Sequence, residues 1–462
     1  STMTVKYEIR DDAQWSDGTP VSGDDFQFTF DTIMNPDLPI TKLYYQNIVQ
    51  TIASAKTFEY TMAAPTVQHE LMFSEIIPKH DVEASDFLHD WNTERWVSAG
   101  PFVFDSWVEG ESITVTRNDS DWKVDKETGQ PLPFLDEVVF RFIPDDGEII
   151  RAFTAREVDV ITPDATTDVI AALRALEGEG AALEVLSGPV WEHLNFQFGP
   201  GRFERNESSC SEYPDMRLAV AHAIDREKLT EEIYAGEVSP LDSYVSAFAP
   251  QLSNDNWAAI GHDPTKANEH YLAAVAAAGV DCTVVFTATS NNDARVQMAE
   301  LFIPMFEAAG IPLENELDDA ATFFGETLEA GLWDLSEWAR VGSPGFTGLV
   351  VLHYVFDPEG QPPAGSNYYR WGTADSSAIN ESTERFAAIR DRLNATVDER
   401  ELEDLIAEAE QILYENLVII PLFARPVTAA VWADEITRFK HNPTTAGHTW
   451  NIEEWYRADL DG

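Results

Sequence analysis

Apolar residues alternate with polar ones at the start of the chain and then take up a helical spacing. Val5, Tyr7 and Ile9 are separated by single polar residues, and this period of two predicts a half-buried strand. Phe26 and Phe30 follow one helical turn apart, so they share a face that can pack on a strand. The opening pattern therefore predicts a small αβ unit.

Turn and capping residues separate the two predicted elements of this unit. Asp17 and Gly18 predict a tight turn, because glycine accepts backbone angles that other residues resist. Ser22, with Asp25 three positions later, has the spacing of a capping box and predicts the start of the helix.

The clearest topological pattern lies between residues 263 and 340. Asp263 and Pro264 predict the start of a helix that Gly279 ends. The predicted order is helix 264–279, strand 283–287, helix 294–309, strand 311–317, helix 321–330 and strand 332–338. Alternating helices and strands with short connections predict a parallel sheet.

Other segments extend this α/β pattern towards both ends of the chain. They predict a hairpin of strands 102–107 and 112–116, helix 147–155, strand 158–161, an extended apolar run 190–198, two short helices within 216–235, a loop 354–380, helix 399–414 and strand 417–422. With 462 residues, of which 44% are hydrophobic, we expect two or three lobes rather than one simple core. No apolar run reaches the roughly 18 residues that a membrane-spanning helix needs.

The chain is strongly acidic, with 81 Asp and Glu against 30 Lys and Arg and a net charge of −51. Acidic residues are spread along the whole sequence, which argues against nucleic-acid binding, since that requires a basic face. Two explanations stay open: adaptation to salty surroundings, where ions screen self-repulsion, or a cationic ligand. Even spacing of the charge favours the first.

The sequence contains none of the short motifs that indicate catalysis. It lacks a GxSxG elbow, a phosphate-binding loop, an HExxH pair and a GxGxxG turn. His441 and His448 lie near each other in sequence, but loop or surface positions explain them, and we expect neither a metal nor a cofactor. Cys210 and Cys282 allow one disulfide or two buried thiols, and both alternatives stay open.

Residues 15–30 read WSDGTPVSGDDFQFTF, which closely resembles the signature of the family 5 solute-binding proteins, the dipeptide and oligopeptide receptors of ABC importers. The resemblance continues in order along the chain. Further matching positions are Gly100, Pro101, Trp107, Gly110, Glu111, Arg117, Asn118 and Trp122, followed by the segments 135–163 and 216–240 and the IPL stretch near residue 420. Asp119 stands where the family usually has Pro, and Arg156 where it usually has Gly.

The resemblance implies an α/β, two-lobed fold of the periplasmic-binding-protein type II kind, with mixed sheets, discontinuous lobes and a hinge. The first lobe would comprise residues 1–192 and the return segment 423–462, and the second lobe residues 193–422. Members of the family carry several tens of residues before the matched motif. We therefore expect the N-terminal part of the first lobe to be truncated.

The implied function is capture rather than catalysis. A small ligand, most often a short peptide, would be enclosed between the lobes and delivered to an ABC permease and its ATPase. The protein would be a monomer in the periplasm or outside the cell, free or lipid-anchored to the outer face of the cytoplasmic membrane. Alternative ligands are a saccharide, an opine or a metal chelate, and alternative functions are a periplasmic sensor, a chaperone or a hydrolase on this scaffold.

Nine residues are candidates for ligand contact. A receptor site needs aromatic walls and a few polar anchors, and these residues supply both where the lobes would meet. They are Trp191, Glu192, His193, Trp338, Arg340, Asn367, Tyr368, Tyr369 and Trp371. The competing explanation for the strand and aromatic positions is a place in the core. For NYYRW, residues 367–371, four stacking or hydrogen-bonding groups within five residues of a predicted loop favour function, because loops carry function more often than cores do.

The stretch after Trp338 departs from the peptide-receptor pattern. In the family an acidic residue follows this tryptophan shortly and pairs with the amino group of the peptide. Here the following residues are ARVGS, which contain no acid, so the role would fall to Glu337 or to a residue before the start of this chain. Arg340 has two interpretations: it binds a carboxylate or phosphate, or it forms an ion pair with one of the many acids.

Overall fold

The computed structural model describes residues 2–40, 42, 44–92, 95, 97–120, 123–199, 210–247, 249–342, 345–362, 365–374 and 376–458. Trp122, Ser343 and most of the polar loop before Cys210 lie outside the described residues.

The described part of the chain is a mixture of helices and strands, as the α/β prediction requires. The strands are β1 (Met3–Glu8), β2 (Ile48–Ala53), β3 (Thr57–Met62), β4 (Phe102–Val108), β5 (Ser112–Arg117), β6 (Glu137–Arg141), β7 (Val160–Ile161), β8 (Ala181–Phe196), β9 (Val284–Thr289), β10 (Leu313–Asp318), β11 (Leu335–Val341), β12 (Ile419–Trp432), β13 (Ile436–Thr437) and β14 (Tyr456–Arg457). The helices are α1 (Gly23–Met34), α2 (Lys79–Val82), α3 (Asp146–Thr154), α4 (Thr167–Arg174), α5 (Pro214–Ala223), α6 (Arg226–Tyr234), α7 (Pro264–Ala278), α8 (Asp293–Ala309), α9 (Ala320–Thr322, a π-turn Phe323–Thr327 and Leu328–Ala330), α10 (Gly345–His353), α11 (Glu381–Leu393) and α12 (Glu399–Glu415). Short 3-10 turns include Val67–Leu71 and Tyr354–Phe356.

The largest sheet has the strand order β10-β9-β11-β8-β12-β7. β9 pairs parallel with both β10 and β11, which confirms the parallel arrangement predicted from residues 263–340. β8 then pairs antiparallel with β11 and with β12, and β12 pairs antiparallel with β7. The sheet is therefore mixed.

β8 and β12 are much longer than the sequence predicts. The stretches 190–198 and 417–422 are recognisable from sequence because the first alternates large apolar residues with polar ones and the second is continuously apolar. The remaining parts, 181–189 and 423–432, alternate in exposure or contain Pro426, and the sequence reading left them unassigned. The pairing runs from Ile419 opposite Asn195 to Trp432 opposite Ala181.

Buried apolar side chains form separate cores at the two ends of this strand pair. One cluster, here called the large core, is built almost entirely from residues 191–424. The other three clusters, here called the small cores, are built from residues 3–183 and 430–455. Two of them contain residues of β12, and the third, within residues 3–76, belongs to the N-terminal unit. This division lies close to the lobe limits expected from the sequence, which stay a prediction.

The opening motif folds as a strand, a turn and a helix, as predicted. β1 pairs with β3, and α1 begins at Gly23 against the hairpin of β2 and β3. The Asp25 carboxylate accepts hydrogen bonds from the backbone N–H of Ser22, at 2.8 Å, and of Lys79, at 2.9 Å. The motif's aromatic side chain Phe26 packs into a small core, so the motif itself serves the architecture.

Cys210 and Cys282 form a disulfide, which resolves the two alternatives left open by the sequence. Both residues are buried, and they lie 72 positions apart in the chain. The bond ties the segment before α5 to the start of β9. It therefore closes a long loop within the large core.

Gly23→Ala is expected to destabilise the N-terminal unit. A Cβ at this position would lie 2.3 Å from the Thr57 carbonyl oxygen and 2.4 Å from the Ser54 carbonyl oxygen, so the helix start would have to move. We expect a loss of about 1–3 kcal/mol, measured by calorimetry as a lower Tm of the affected transition. Gly178→Ala is the matched control, since a Cβ there meets nothing within 4 Å. Equal Tm values for the two variants would contradict this account.

Removing the disulfide is expected to destabilise the large core. Closing a loop of 72 residues restricts the unfolded chain, and the loss in Cys210→Ala/Cys282→Ala should be up to about 4 kcal/mol. Dithiothreitol should lower the Tm of the unmodified protein towards that of the double variant and leave the variant unchanged. A Tm of the unmodified protein that does not respond to the reductant would refute the bond.

Candidate functional site

Aromatic side chains cover one face of β8 and β11 where the two strands pair. Trp338 lies opposite His193 in the register, and its ring meets the His193 ring edge-on with centroids 5.6 Å apart. The Trp191 ring is 4.3 Å from that of His193 and stacks on Tyr244. Trp191, His193 and Trp338 are almost wholly shielded from solvent, so in this structure they act as core residues.

The loop residues NYYRW divide into buried and half-buried members. Asn367 is buried and donates hydrogen bonds to the carbonyl oxygens of Asp357, at 2.9 Å, and Trp371, at 3.0 Å. Tyr369 and Trp371 are also fully buried. Tyr368 is half-buried, and its ring meets Trp338 edge-on at 6.4 Å, which leaves it the most accessible aromatic of the loop.

Charged residues occupy the opposite face of the same strands. Glu192 on β8 accepts a hydrogen bond of 2.5 Å from Arg425 Nε and one of 3.3 Å from Arg295 Nη2. Arg295 Nε also lies 2.7 Å from the Glu337 carboxylate, and Arg295 Nη1 donates to Thr289 Oγ1 at 2.9 Å. We call Glu192, Glu337, Arg295 and Arg425 the four-residue ion cluster.

Burial and mutual contact set the protonation of the two carboxyls in this cluster. Burial raises the pKa of Glu337 well above its usual range, and the adjacent charge of Glu192 raises it further. Burial also tends to raise the pKa of Glu192, but the hydrogen bond with Glu337 and the charges of Arg295 and Arg425 outweigh it and lower that pKa. Glu192 is thus the charged member of the pair and Glu337 the protonated one.

Arg340 follows Trp338 on the aromatic face, at the end of β11. Its side chain is half-buried, its Nε lies 3.4 Å from Tyr369 Oη, and its guanidinium stands 5.9 Å from the centre of the Tyr369 ring. No acidic residue among those described pairs with it. The surface ion pair considered from the sequence is therefore not found in the described part of the chain.

A second connection joins the large core to the N-terminal part of the chain. Val67, in the 3-10 turn Val67–Leu71, is buried within the large core, although its neighbours in sequence belong to the N-terminal unit. Thr347 on α10 donates a hydrogen bond of 2.9 Å to the Glu70 carboxylate. We call residues 66–71 the bridging segment.

The sequence reading named Glu192 but missed the arginines that hold it. Arg295 lies in the first turn of α8, and Arg425 lies where the pairing of β8 and β12 changes register. An arginine inside an otherwise apolar stretch, as at 419–432, is a signal that could have found Arg425, because a buried charge requires a partner. Arg295 carried no such signal.

The described residues contain neither a candidate membrane-spanning helix nor a candidate metal-ligand cluster. None of their helices is long and apolar enough to cross a membrane. No group of three or more His, Cys, Asp or Glu side chains in the described part is placed to hold a metal ion.

The fold is α/β of the periplasmic-binding-protein type II class, and comparison with known proteins gives the family. The family model of bacterial extracellular solute-binding proteins, family 5, matches residues 1–360. The chain therefore belongs to the family 5 extracellular solute-binding proteins. This confirms the resemblance carried by the opening motif.

Individual relatives are distant but match over most of the chain. Oligopeptide-binding protein OppA of Mycobacterium tuberculosis is 21% identical over 450 residues, which cover 93% of this chain and 70% of the relative. OppA of Bacillus subtilis is 20% identical over 454 residues, covering 91% and 76%.

Solved structures share the fold. The periplasmic EDTA-binding protein EppA superposes with a TM-score of 0.78 at 21% identity, covering 98% of this chain and 84% of its own. The oligopeptide-binding protein AppA from Bacillus subtilis, in complex with a nonapeptide, superposes with a TM-score of 0.67 at 17% identity, covering 98% and 87%.

The two carboxyls of the four-residue ion cluster are expected to differ in how much stability is lost when each is replaced. Glu337→Gln should fold with little loss, because it replaces a protonated acid by a neutral amide. Glu192→Gln should lose about 3 kcal/mol at neutral pH, since it removes the charge that compensates the buried Arg295 and the half-buried Arg425. Calorimetry of both variants in the same buffer checks this: the Tm of Glu192→Gln should be lower than that of Glu337→Gln.

The pH dependence of Glu337→Gln has a definite sign. A raised pKa in the folded state stabilises the protein below the unfolded value of about 4.3, and this stabilisation falls as pH rises towards the folded pKa. Glutamine cannot lose that proton, so the Tm of the variant minus that of the unmodified protein should increase from about pH 5 to pH 8. A difference that decreases would contradict the assignment.

Proposed function

We propose that this chain captures a short peptide outside the cytoplasm and delivers it to an ABC importer. Membership of the solute-binding family supports capture, and the relatives named for oligopeptide binding support a peptide as the ligand. The partners would be a membrane permease and its ATPase, and the protein would act as a monomer by binding rather than by catalysis.

The observation that carries the proposal is the pair of long strands that runs between the cores. Near its middle the pairing shifts register between Ala424 and Pro426. Opposite this point lies Gly188, where a Cβ would stand 2.8 Å from the Arg425 carbonyl oxygen. An interrupted ladder bends more easily than a continuous one, so we place the hinge here.

Closure would bring ligand-binding groups together around the carboxyl ends of β9, β10 and β11. In open α/β sheets this edge is the usual ligand position. Arg340 and Tyr368 are the sequence candidates that are only half-buried, so they would contact the ligand directly. The fully buried candidates would support them from behind, and the bridging segment would hold the moving parts on the side away from the hinge.

Ligand capture should raise the Tm. A ligand present at about 100 times its Kd stabilises the folded form by about 2.7 kcal/mol. We expect a shift with mixtures of tripeptides in scanning fluorimetry, confirmed by calorimetric titration. Free alanine at matched concentration is the control, because it is too small to bridge two lobes.

The same Tm measurement with other classes of ligand can contradict the peptide proposal. A shift with saccharide, opine or metal-chelate sets and none with peptides would overturn the peptide proposal while keeping solute capture. Turnover of a bound peptide would overturn the proposal that the protein only binds.

A further inference from the structure

The Arg340 guanidinium is only partly provided with acceptors, since its Nε has Tyr369 Oη at 3.4 Å and its Nη2 has none among the described residues. This Nη2 is inaccessible to solvent. The chain has 81 acidic and 30 basic residues, so potential ion-pair partners for an arginine are abundant. A charged donor left without an acceptor costs free energy, so a ligand that supplies one would gain affinity.

Arg340 lies at the end of β11 that is directed towards the proposed hinge. It pairs in register with Trp191 on β8, and the next residue, Val341, is 67% exposed. β11 ends there, at the same edge as the carboxyl ends of β9 and β10. Arg340 therefore stands at the rim of the large core, on the line where β8 passes towards the small cores.

The charge balance around Arg340 favours an anionic ligand group. Of the residues on its face of β8 and β11, His193 is neutral, because burial and the charge of Arg340 lower its pKa to about 3. On the opposite face, Glu192 and Glu337 are engaged with the arginines of the ion cluster. Where β8 pairs with β11, the described residues of the two strands therefore offer one positive charge, Arg340, and no unengaged carboxylate for a ligand amine.

We propose that Arg340 anchors a carboxylate of the captured ligand, with the ring of Tyr368 forming the wall beside it and the buried ring of Tyr369 supporting the guanidinium from behind. The inference rests on the proposed function for the identity of the ligand as a peptide, whose C-terminal carboxylate would be the anchored group. A guanidinium matches a carboxylate with two parallel hydrogen bonds, so it distinguishes the acid from the amide. The position lies directly beside the stretch in which the acid of the peptide-receptor pattern is missing.

The test compares three forms of the same tripeptides, namely free, amidated at the C-terminus and acetylated at the N-terminus. Calorimetric titration of the full chain should give similar Kd values for the free and acetylated forms. Amidation should weaken binding roughly 10- to 100-fold, the size of one charge-assisted interaction.

Variants test whether Arg340 is the residue that distinguishes the free peptide from its C-terminal amide. Arg340→Gln should bind the free peptide as weakly as it binds the amide. Arg340→Lys keeps the charge but not the paired N–H donors, so its affinity for the free peptide should lie between those of the unmodified protein and Arg340→Gln. Arg385→Gln is the matched control: it removes one positive charge from an exposed pair with Glu408 and should keep full discrimination. Circular dichroism and Tm check that each variant folds.

The possible outcomes distinguish failure of the proposed carboxylate anchor at Arg340 from failure of the proposal that the ligand is a peptide. Equal affinity of acid and amide for the unmodified protein overturns the anchor and leaves peptide capture standing. Binding of citrate that Arg340→Gln abolishes, together with no binding of any tripeptide, supports the anchor and overturns the peptide. Failure to find any carboxylate whose binding depends on Arg340 overturns the inference.

Discussion

Two long strands, β8 and β12, pair along almost their whole length and carry the large core at one end and a small core at the other. The ladder between them is the physical link that the relative position of these cores depends on. Its register shifts twice, between Pro421 and Phe423 and again between Ala424 and Pro426, where Arg425 lies. At that interruption Arg425 reaches back to Glu192, so the place where the backbone pairing is weakest is held by a charged side-chain contact.

The two carboxyls of the four-residue ion cluster, on β8 and β11, lie on one face of the sheet, and the tryptophans together with Arg340 lie on the other. Side chains alternate along a strand, so Glu192 and Glu337 face α8 while Trp191, Trp338 and Arg340 face the loop 367–371. The buried charges contribute little net stability by themselves, because desolvation offsets their attraction. Through their contacts with Glu192, Arg425 links β12 to β8 and Arg295 links α8 to β8.

Sequence reasoning found the elements whose signals are local. Helix α7 begins at Asp263 and ends at Gly279, and the Asp263 side chain caps its first turn as the pattern predicts. The second half of β12 could not be found this way, because Arg425 and Pro426 break the apolar run and only pairing with β8 makes it a strand. Trp191 and Tyr369 were recognisable as important, but no local pattern tells that both are buried beside His193. Their partners come from distant parts of the chain.

The central claim is that ligand binding brings the two ends of the β8–β12 pair together. The distance between spin labels at Val49→Cys and Leu272→Cys tests it most directly, since these residues are 62% and 57% exposed and the native cysteines are bonded to each other. One label lies on β2 in the N-terminal unit and the other on α7 in the large core. Pulsed electron resonance with and without saturating tripeptide should show the mean distance shorten and its distribution narrow. An unchanged distribution in the presence of ligand that calorimetry shows to be bound would contradict capture by closure of the two lobes.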